Sequence, residues 1–140
     1  MVNLVVARFA DGRTVKGTSL DVDPKRPKCH VRTPEGTMVD VTLADLKALF
    51  FVKNLDGNPM RPDANSIENS DPRLRGSRLV QVTFHDGEKI VALATRYPPN
   101  QPYFFLAPVD TNGNNVRILV NDAQVKALTL VTTPSAGANR

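Results

Sequence analysis

Two stretches of this chain repeat one pattern, and the repetition constrains the fold more than any other feature. The stretch ARFADGRTVKG (7–17) returns later as VTFHDGEKIVA (82–92). Each is an apolar run broken by an Asp-Gly pair, whose tolerance of positive φ suits a tight hairpin turn. Because the chain has only 140 residues, each copy must be a small unit of about 50 residues.

The two copies align over most of the chain if two small loop insertions are allowed. Phe9 and Phe84, which precede the two Asp-Gly turns, are 75 positions apart. After the loop the predicted separation grows to 77 for Val39, Val41, Leu43 and Asp45. It grows again, to 79, for Lys47, Ala48, Leu49 and Val52. Changes confined to connections are typical of a preserved core with variable loops.

The residue pattern inside each copy predicts five short strands and about one helical turn. Segments such as TVKGTSL and KIVALAT alternate polar and apolar residues, as a strand with one buried face does. Proline-rich loops, DVDPKRP and YPPNQP, separate the second and third strands. Five short strands in about 50 residues indicate a small SH3-like or Sm-like barrel. The predicted fold is therefore all-β, with two tandem five-stranded barrels that share an apolar interface as a pseudo-twofold pseudo-dimer.

The predicted organisation has four parts. Residues 1–53 form the first barrel, 54–78 a linker, 79–132 the second barrel and 133–140 a flexible tail. The linker is rich in proline, asparagine and serine and has no apolar period. The tail contains nothing that can be buried, so it should fray.

The composition is that of a globular protein, with 41% hydrophobic and 23% charged residues. No run approaches the roughly 18 apolar residues of a membrane helix, and the N-terminus lacks a signal-peptide pattern. We therefore predict a cytoplasmic protein with no membrane partner. The single cysteine, Cys29, excludes an internal disulfide and a cysteine metal cage. No metal or other cofactor is predicted.

A resemblance to a known family supports the duplication. The signature VTFHDGEKI followed by YPPNQPYFFLAPVDTNGNNVRILV resembles an uncharacterised bacterial domain family whose members carry a DG hairpin, a P-x-x-P loop, an FFL-like strand and an NN-x-R-I/V strand. The first copy resembles the same family in a more basic version, but GTMVDV stands where NN-x-R would align. The resemblance lends no activity, and it makes Asn114, Asn115 and Arg117 a candidate binding site that is present once.

The positive charge is concentrated in the first copy. The net charge is +4, and +3 of it falls in residues 1–53, which hold nine basic and six acidic residues. Lys25, Arg26, Lys28 and Arg32 crowd the proline loop and the next strand. Such a loop can neutralise phosphates, which makes it a candidate site for RNA or a nucleotide. A basic loop is more often a solvated face, and base-stacking aromatics are scarce in a chain without tryptophan.

The sequence gives little support to catalysis. His30 and His85 occupy unmatched positions, and no nucleophile motif surrounds them. Cys29 and His30 should point to opposite faces of one strand, which makes them a poor pair. Asp45 and Asp122 precede the helical turns, where an N-cap role explains them. We therefore predict a protein that is not an enzyme and has no catalytic residues.

Basic residues ahead of a β-barrel also resemble the PilZ family, which binds cyclic di-GMP through an RxxxR segment and a [DN]xSxxG strand. Arg73, Arg75 and Arg78 are not spaced by four, and Ser19 has Gly17 where Asp or Asn is required. This hypothesis is the least favoured. The leading one is a protein-interaction or structural module with an unknown protein partner, and RNA or nucleotide binding by the first copy is the alternative.

Overall fold

The computed structural model describes residues 3–56, 67 and 70–131. In this part of the chain ten strands and three 3₁₀ turns are present, and the prediction of an all-β protein is confirmed. No helix in it is long and apolar enough to cross a membrane. The strands are β1 (Asn3–Phe9), β2 (Thr14–Ser19), β3 (Lys28–Arg32), β4 (Met38–Thr42), β5 (Leu46–Val52), β6 (Arg78–Phe84), β7 (Lys89–Ala94), β8 (Tyr103–Pro108), β9 (Asn115–Asn121) and β10 (Val125–Leu130). The 3₁₀ turns are Leu43–Asp45, Pro72–Arg75 and Asp122–Gln124.

All ten strands belong to one antiparallel sheet with the order β10-β6-β7-β8-β9-β5-β1-β2-β3-β4. The N-terminal half (residues 3–56) contributes β5-β1-β2-β3-β4, and the C-terminal half (residues 78–131) contributes β10-β6-β7-β8-β9. The order of strands is therefore the same in both halves. They are joined where β5 pairs with β9.

The halves do not meet in the predicted pseudo-twofold arrangement. A twofold exchange that pairs β5 with β9 must also pair β10 with β4, because these strands are equivalent in the two halves. Among the described residues the sheet is open, and β4 and β10 are its two edges. The contact is thus heterologous: the last strand of one half lies beside the fourth strand of the other.

Backbone hydrogen bonds show which residues of the two halves are equivalent. The N–H of Leu43 donates to the carbonyl of Pro27, and the N–H of Asp122 donates to that of Pro102, both at 2.9 Å. Leu43 and Asp122 are 79 positions apart, so the predicted separation of 77 in this region is wrong. One four-residue insertion between β8 and β9 replaces the two smaller ones. Because strand side chains alternate with period two, the two-residue error left each one on its predicted face.

The 3₁₀ turns are not capped by the predicted aspartates. Asp45 and Asp122 both lie within the turns. Asn121 is the N-cap of the later turn, and its side chain accepts a hydrogen bond from the N–H of Ala123 at 3.1 Å. The same side chain donates to the carbonyl of Leu46 at 2.8 Å. Asn121 therefore also ties β9 to the N-terminal half.

Strand β5 supplies side chains to the cores of both halves. Ala48, Phe50 and Val52 belong to the core of the C-terminal half. Leu49 and Phe51 belong to the core of the N-terminal half. A strand buried on both faces has a continuous apolar sequence, which explains why LKALFFV does not alternate. The contact between the halves is therefore built on a central strand.

Part of the predicted linker packs against the C-terminal half. Ile67 is buried in a small apolar cluster with Leu79 and Val109. Arg73 donates to both carboxylate oxygens of Asp71, at 3.1 and 3.0 Å, and to the carbonyl of Val109 at 3.1 Å. Arg73 is therefore committed to these structural contacts. The predicted tail, 133–140, lies outside the described residues.

Candidate functional site

A groove of about 610 Å³ runs along the junction between the halves. Outward-facing residues of β1 and β2 form one wall, and β7 with the segment after β8 forms the other. Phe50 and Ile118, from the paired strands β5 and β9, are nearly buried at its base. Ligand-binding clefts typically enclose about 300–1,000 Å³, so the groove is large enough to accept part of another molecule.

An apolar strip lines this groove above its base. It consists of Val6, Leu55 and Ile90, which are half-buried and pack against the core of the C-terminal half. Val6 comes from the N-terminal half, whereas Ile90 comes from β7 of the other half. Removing such a strip from water on binding contributes about 25 cal/mol for each Å² of apolar surface. The strip can therefore hold apolar side chains of a partner.

Charged side chains of both signs surround the strip. Arg8 and Lys16 stand on the N-terminal wall, while Glu88 and Lys89 stand on the C-terminal wall. Arg8 lies 3.5 Å from the Glu88 carboxylate. Lys16 and Lys89 are exposed and form no ion pair with the described residues. Lys16 and Lys89 therefore supply the groove lining with two cations that have no ion-pair partner among the described residues.

Lys47 joins the two halves beside the groove. Only 12% of its side chain is exposed, and its Nζ donates to the Asp86 carboxylate at 2.7 Å and also to that of Glu88. The ammonium lies 4.8 Å from the centroid of the Phe84 ring. Burial acts to lower the pKa of Lys47, but the two carboxylates outweigh it and raise that pKa above its usual value. The hydrogen bond from Lys47, followed by the Glu88 N–H, lowers the pKa of Asp86.

The structure does not bring the three predicted polar residues of the C-terminal half together. Asn114 and Asn115 line the groove, whereas Arg117 does not. A β-bulge leaves Val116 without a ladder partner, and this turns Asn115 and Arg117 to different faces. The Asn114 side chain accepts from the N–H of Asn54 and donates to its carbonyl, both at 3.0 Å. Asn114 therefore extends the β5–β9 contact.

Arg117 instead covers two aromatic rings. Its guanidinium carbon lies 4.4 Å from the ring centroid of Phe51 and 4.3 Å from that of Phe105. These distances are typical of cation–π contacts. Arg117 is exposed and forms no ion pair with the described residues. Its observed contacts are those of a residue that protects the edge of the N-terminal core.

The four cations predicted to bind phosphate lie on the surface of the N-terminal half. Lys28 and Arg32 occupy the same exposed face of β3. Lys25 and Arg26 lie in the preceding turn, where Arg26 is 3.8 Å from the Asp23 carboxylate. Lys25, Lys28 and Arg32 have no ion pair among the described residues. Phosphate binding by this surface stays a prediction.

Acidic side chains are interleaved with these cations. His30 lies between Lys28 and Arg32 on the same face, with its Nδ1 at 2.6 Å from Asp21 and its Nε2 at 3.5 Å from Asp40. The His30 backbone N–H, followed by its ring, lowers the pKa of Asp21. These carboxylates offset part of the positive potential that the residue count suggested.

Cys29 has no exposed surface and lies on the opposite face of β3 from His30, as predicted. Burial, with a further contribution from Asp21, raises the pKa of its thiol to about 11. A thiol with such a pKa is almost entirely protonated near neutral pH. Cys29 is therefore a core residue.

Sequence reasoning missed the groove. Its walls come from strands that are far apart in the chain, and no short motif connects Lys16 with Lys89. The available signal was the outward half of the alternation in β1, β2 and β7. That signal marks exposed positions, but it does not tell which two exposed strands face each other.

Comparison with known families assigns the chain to a family. A family model described as a family of unknown function, DUF6982, matches residues 1–132. The chain belongs to DUF6982. The match covers both halves and the segment between them. The expected membership in an uncharacterised domain family is confirmed. No curated protein and no solved structure matches this DUF6982 chain.

Proposed function

We propose that this protein is a non-enzymatic protein-interaction module that binds an extended segment of a partner protein in the groove between its halves. The observation that carries the proposal is the half-buried aliphatic strip between two charged walls. Protein-binding surfaces combine an apolar centre with a polar rim in this way. The partner is inferred from the chemistry of the groove alone.

The groove favours a segment of alternating apolar and acidic residues. Successive side chains of an extended chain point in opposite directions, so alternate residues can meet the apolar strip and the rim. Val6 and Ile90 offer aliphatic contacts on the strip. Lys16 and Lys89 offer cations that no described residue neutralises. An acidic side chain at the rim would supply the missing counter-charge.

The fold on which this site is built is proposed to be a tandem pair of SH3-like or Sm-like units. The shared strand order and the equivalent hydrogen bonds of Leu43 and Asp122 support this proposal. In such a pair the groove forms only where two units meet. A single unit would lack one of its walls.

Selection of peptides tests the proposed groove. Random 12-residue peptides displayed on phage would be selected on the wild-type protein, and enriched sequences would be synthesised and measured by fluorescence anisotropy. We expect alternating apolar and acidic peptides, and binding about tenfold weaker to the Lys16→Glu/Lys89→Glu variant because two rim contacts become repulsive.

The matched control is Lys25→Glu/Lys28→Glu, which makes the same charge change on exposed lysines outside the groove. It should bind the peptides as tightly as wild type does. Peptides that bind the Lys16→Glu/Lys89→Glu variant as well as wild type would show that the groove is not their site.

RNA or nucleotide binding by the N-terminal half is a second candidate. It is favoured by the exposed, unpaired cations Lys25, Lys28 and Arg32 described above. Single-stranded oligouridine should bind in a filter assay at low salt, and replacing Lys25, Arg26 and Lys28 by serine should reduce the slope of log affinity against log salt by about three phosphate contacts. Asn100→Ser, in the corresponding loop of the other half, is the control. No retention at about 50 mM salt would exclude this candidate.

A further inference from the structure

The open sheet ends in two strands whose counterparts already pair inside the chain. In strand order, β10 is the counterpart of β5 and β4 is the counterpart of β9. We propose that the protein assembles head to tail, with β10 of one chain pairing with β4 of a second copy as β5 pairs with β9. The proposal uses neither the groove nor its ligand.

The register of the proposed pairing follows from the separation of 79 residues that relates both pairs of strands. Within the chain, Phe51 lies opposite Arg117. The corresponding residues at the edges are Leu130 and Met38, so these two would lie opposite each other between chains. Met38 is 58% exposed and Leu130 is 48% exposed, and they are two of the four large apolar side chains that stand out as exposed in the described part of the chain. Pairing would remove both from water.

The burial of β5 shows what β10 lacks. Ala48 and Leu49 are buried to within 1%, whereas their counterparts Ala127 and Leu128 are exposed and half-buried. The two strands pair in the same way with their other neighbours, β1 and β6. The difference arises because β5 also has β9 beside it. On this edge the Leu128 carbonyl accepts a hydrogen bond of 3.1 Å from the Tyr97 hydroxyl. A second copy of β4 would displace that hydroxyl and supply the missing strand to β10.

Each half has a lysine at an equivalent β-bulge, and this pair of lysines supports the same contact. The ladder skips Lys47 where β5 meets β1, and it skips Lys126 where β10 meets β6. A bulge redirects its side chain, and Lys47 reaches Asp86 in the turn between β6 and β7. The counterpart of Asp86 is Asp11, in the turn between β1 and β2. In the proposed assembly Lys126 of one chain would therefore approach Asp11 of the second copy. Lys126 is exposed and unpaired among the described residues.

The contact between chains should be weaker than the one within the chain. Thr129 replaces Phe50, and Asp40 replaces Leu119, so less apolar surface would be buried. Asp11 is already 2.8 Å from Arg13, and it would have to share its charge with Lys126. Assembly should thus be reversible and depend on protein concentration. A heterologous contact of this kind builds rings if the rotation closes and filaments if it does not.

Sedimentation velocity over about 1–500 µM protein tests the proposal, since reversible assembly depends on concentration. The mass of the wild type should rise above the 15.3 kDa of one chain. Met38→Glu and Leu130→Lys should each remain monomeric across the same range, because each places a charge in one edge contact. An equimolar mixture of the two variants should associate again, since the altered edges carry opposite charges and the other edges are unchanged. Circular dichroism checks that both variants fold.

Leu20→Glu is the matched control, because Leu20 is 75% exposed but lies outside every strand. This variant should assemble as wild type does. A wild type that stays at one chain's mass at the highest concentration would overturn the proposal, as would association that Leu20→Glu abolishes and Met38→Glu leaves intact. The groove variant Lys16→Glu/Lys89→Glu should assemble normally, so failure of the groove hypothesis and failure of assembly are distinguishable.

Discussion

Gly17 lies where β2 and β3 approach each other closely, and Gly17→Ala should destabilise the protein strongly. A Cβ at this position would stand 2.1 Å from the carbonyl oxygen of Arg32 and 2.9 Å from a methyl carbon of Val31. The obstacle at 2.1 Å is backbone, so a change of rotamer cannot relieve it. Strand β3 would have to retreat by about 1 Å to reach ordinary contact.

Gly17→Ala distinguishes the prediction made from the structure from the prediction made from the sequence repeat. The residue equivalent to Gly17 in the C-terminal half is Ala92, 75 positions later. The repeat by itself therefore predicts that alanine is harmless at position 17. The structure predicts the opposite, since β3 crosses β2 with only Thr18 and Arg32 in register.

The expected loss of stability follows from the core residues that β3 contributes. Its inward residues Cys29 and Val31 have no exposed surface, so a retreat of the strand would disturb the N-terminal core. Overpacking of a core costs about 1–3 kcal/mol, and a backbone obstacle favours the upper end, about 3 kcal/mol. For a chain of this length that free energy corresponds to a Tm lower by about 10 °C.

Thermal and urea unfolding followed by far-UV circular dichroism would measure the effect. Gly76→Ala is the control, because a Cβ there meets no atom within 4 Å and φ is −118°. That variant should melt within about 2 °C of wild type, the range of a neutral surface change. If Gly17→Ala melted as close to wild type as this control, the close approach of β2 and β3 would be wrong.

Three further outcomes are expected. The buried Cys29 thiol, with its pKa of about 11, should react with Ellman's reagent at pH 8 at least about 100-fold more slowly in the native protein than in urea; equal rates would contradict its burial. The hydrogen bond from Lys47 lowers the pKa of Asp86, so the stability it contributes is present above the unfolded pKa near 3.9 and is lost as pH falls through the lower folded value. Asp86→Asn should therefore lose less of its Tm than wild type as pH falls from about 4 to 2, and parallel profiles would refute the ion pair. Arg117→Ala should cost about 1 kcal/mol in urea unfolding and Arg117→Lys less, whereas wild-type stability in both would deny the cation–π contacts a role.

The hairpins and strands were accessible to sequence reasoning because their causes are local. Gly12 and Gly87 have φ of 96° and 95°, which is the conformation that the two Asp-Gly pairs predicted. The inward and outward residues of β3 follow the alternation of its sequence. The alignment error of two residues was invisible to this reasoning, since a shift by one full period preserves every face.

The candidate site was less accessible. Residue type alone placed Lys28 and Arg32 on the surface. It did not show that His30, which lies between them, contacts the carboxylates of Asp21 and Asp40. The bulge at Val116, which separates Asn115 from Arg117, has no signature in the sequence. The Asp21 and Asp40 contacts depend on how three strands come together, and that information is not contained in any one segment.

The sequence by itself determined the strands, the turns between them, the division into two similar halves and the set of side chains that point inward. These features follow from residue propensity and hydrophobic periodicity, which act over a few residues. Only the tertiary structure decided that β5 pairs with β9, that a groove opens between Lys16 and Lys89, and that β4 and β10 are left as edges. The physical reason is that backbone N–H and C=O groups are the same in every strand, so any edge can in principle pair with any other. The choice is made by the packing of side chains such as Phe50 and Phe51 on both faces of β5, which comes into being only when distant strands meet.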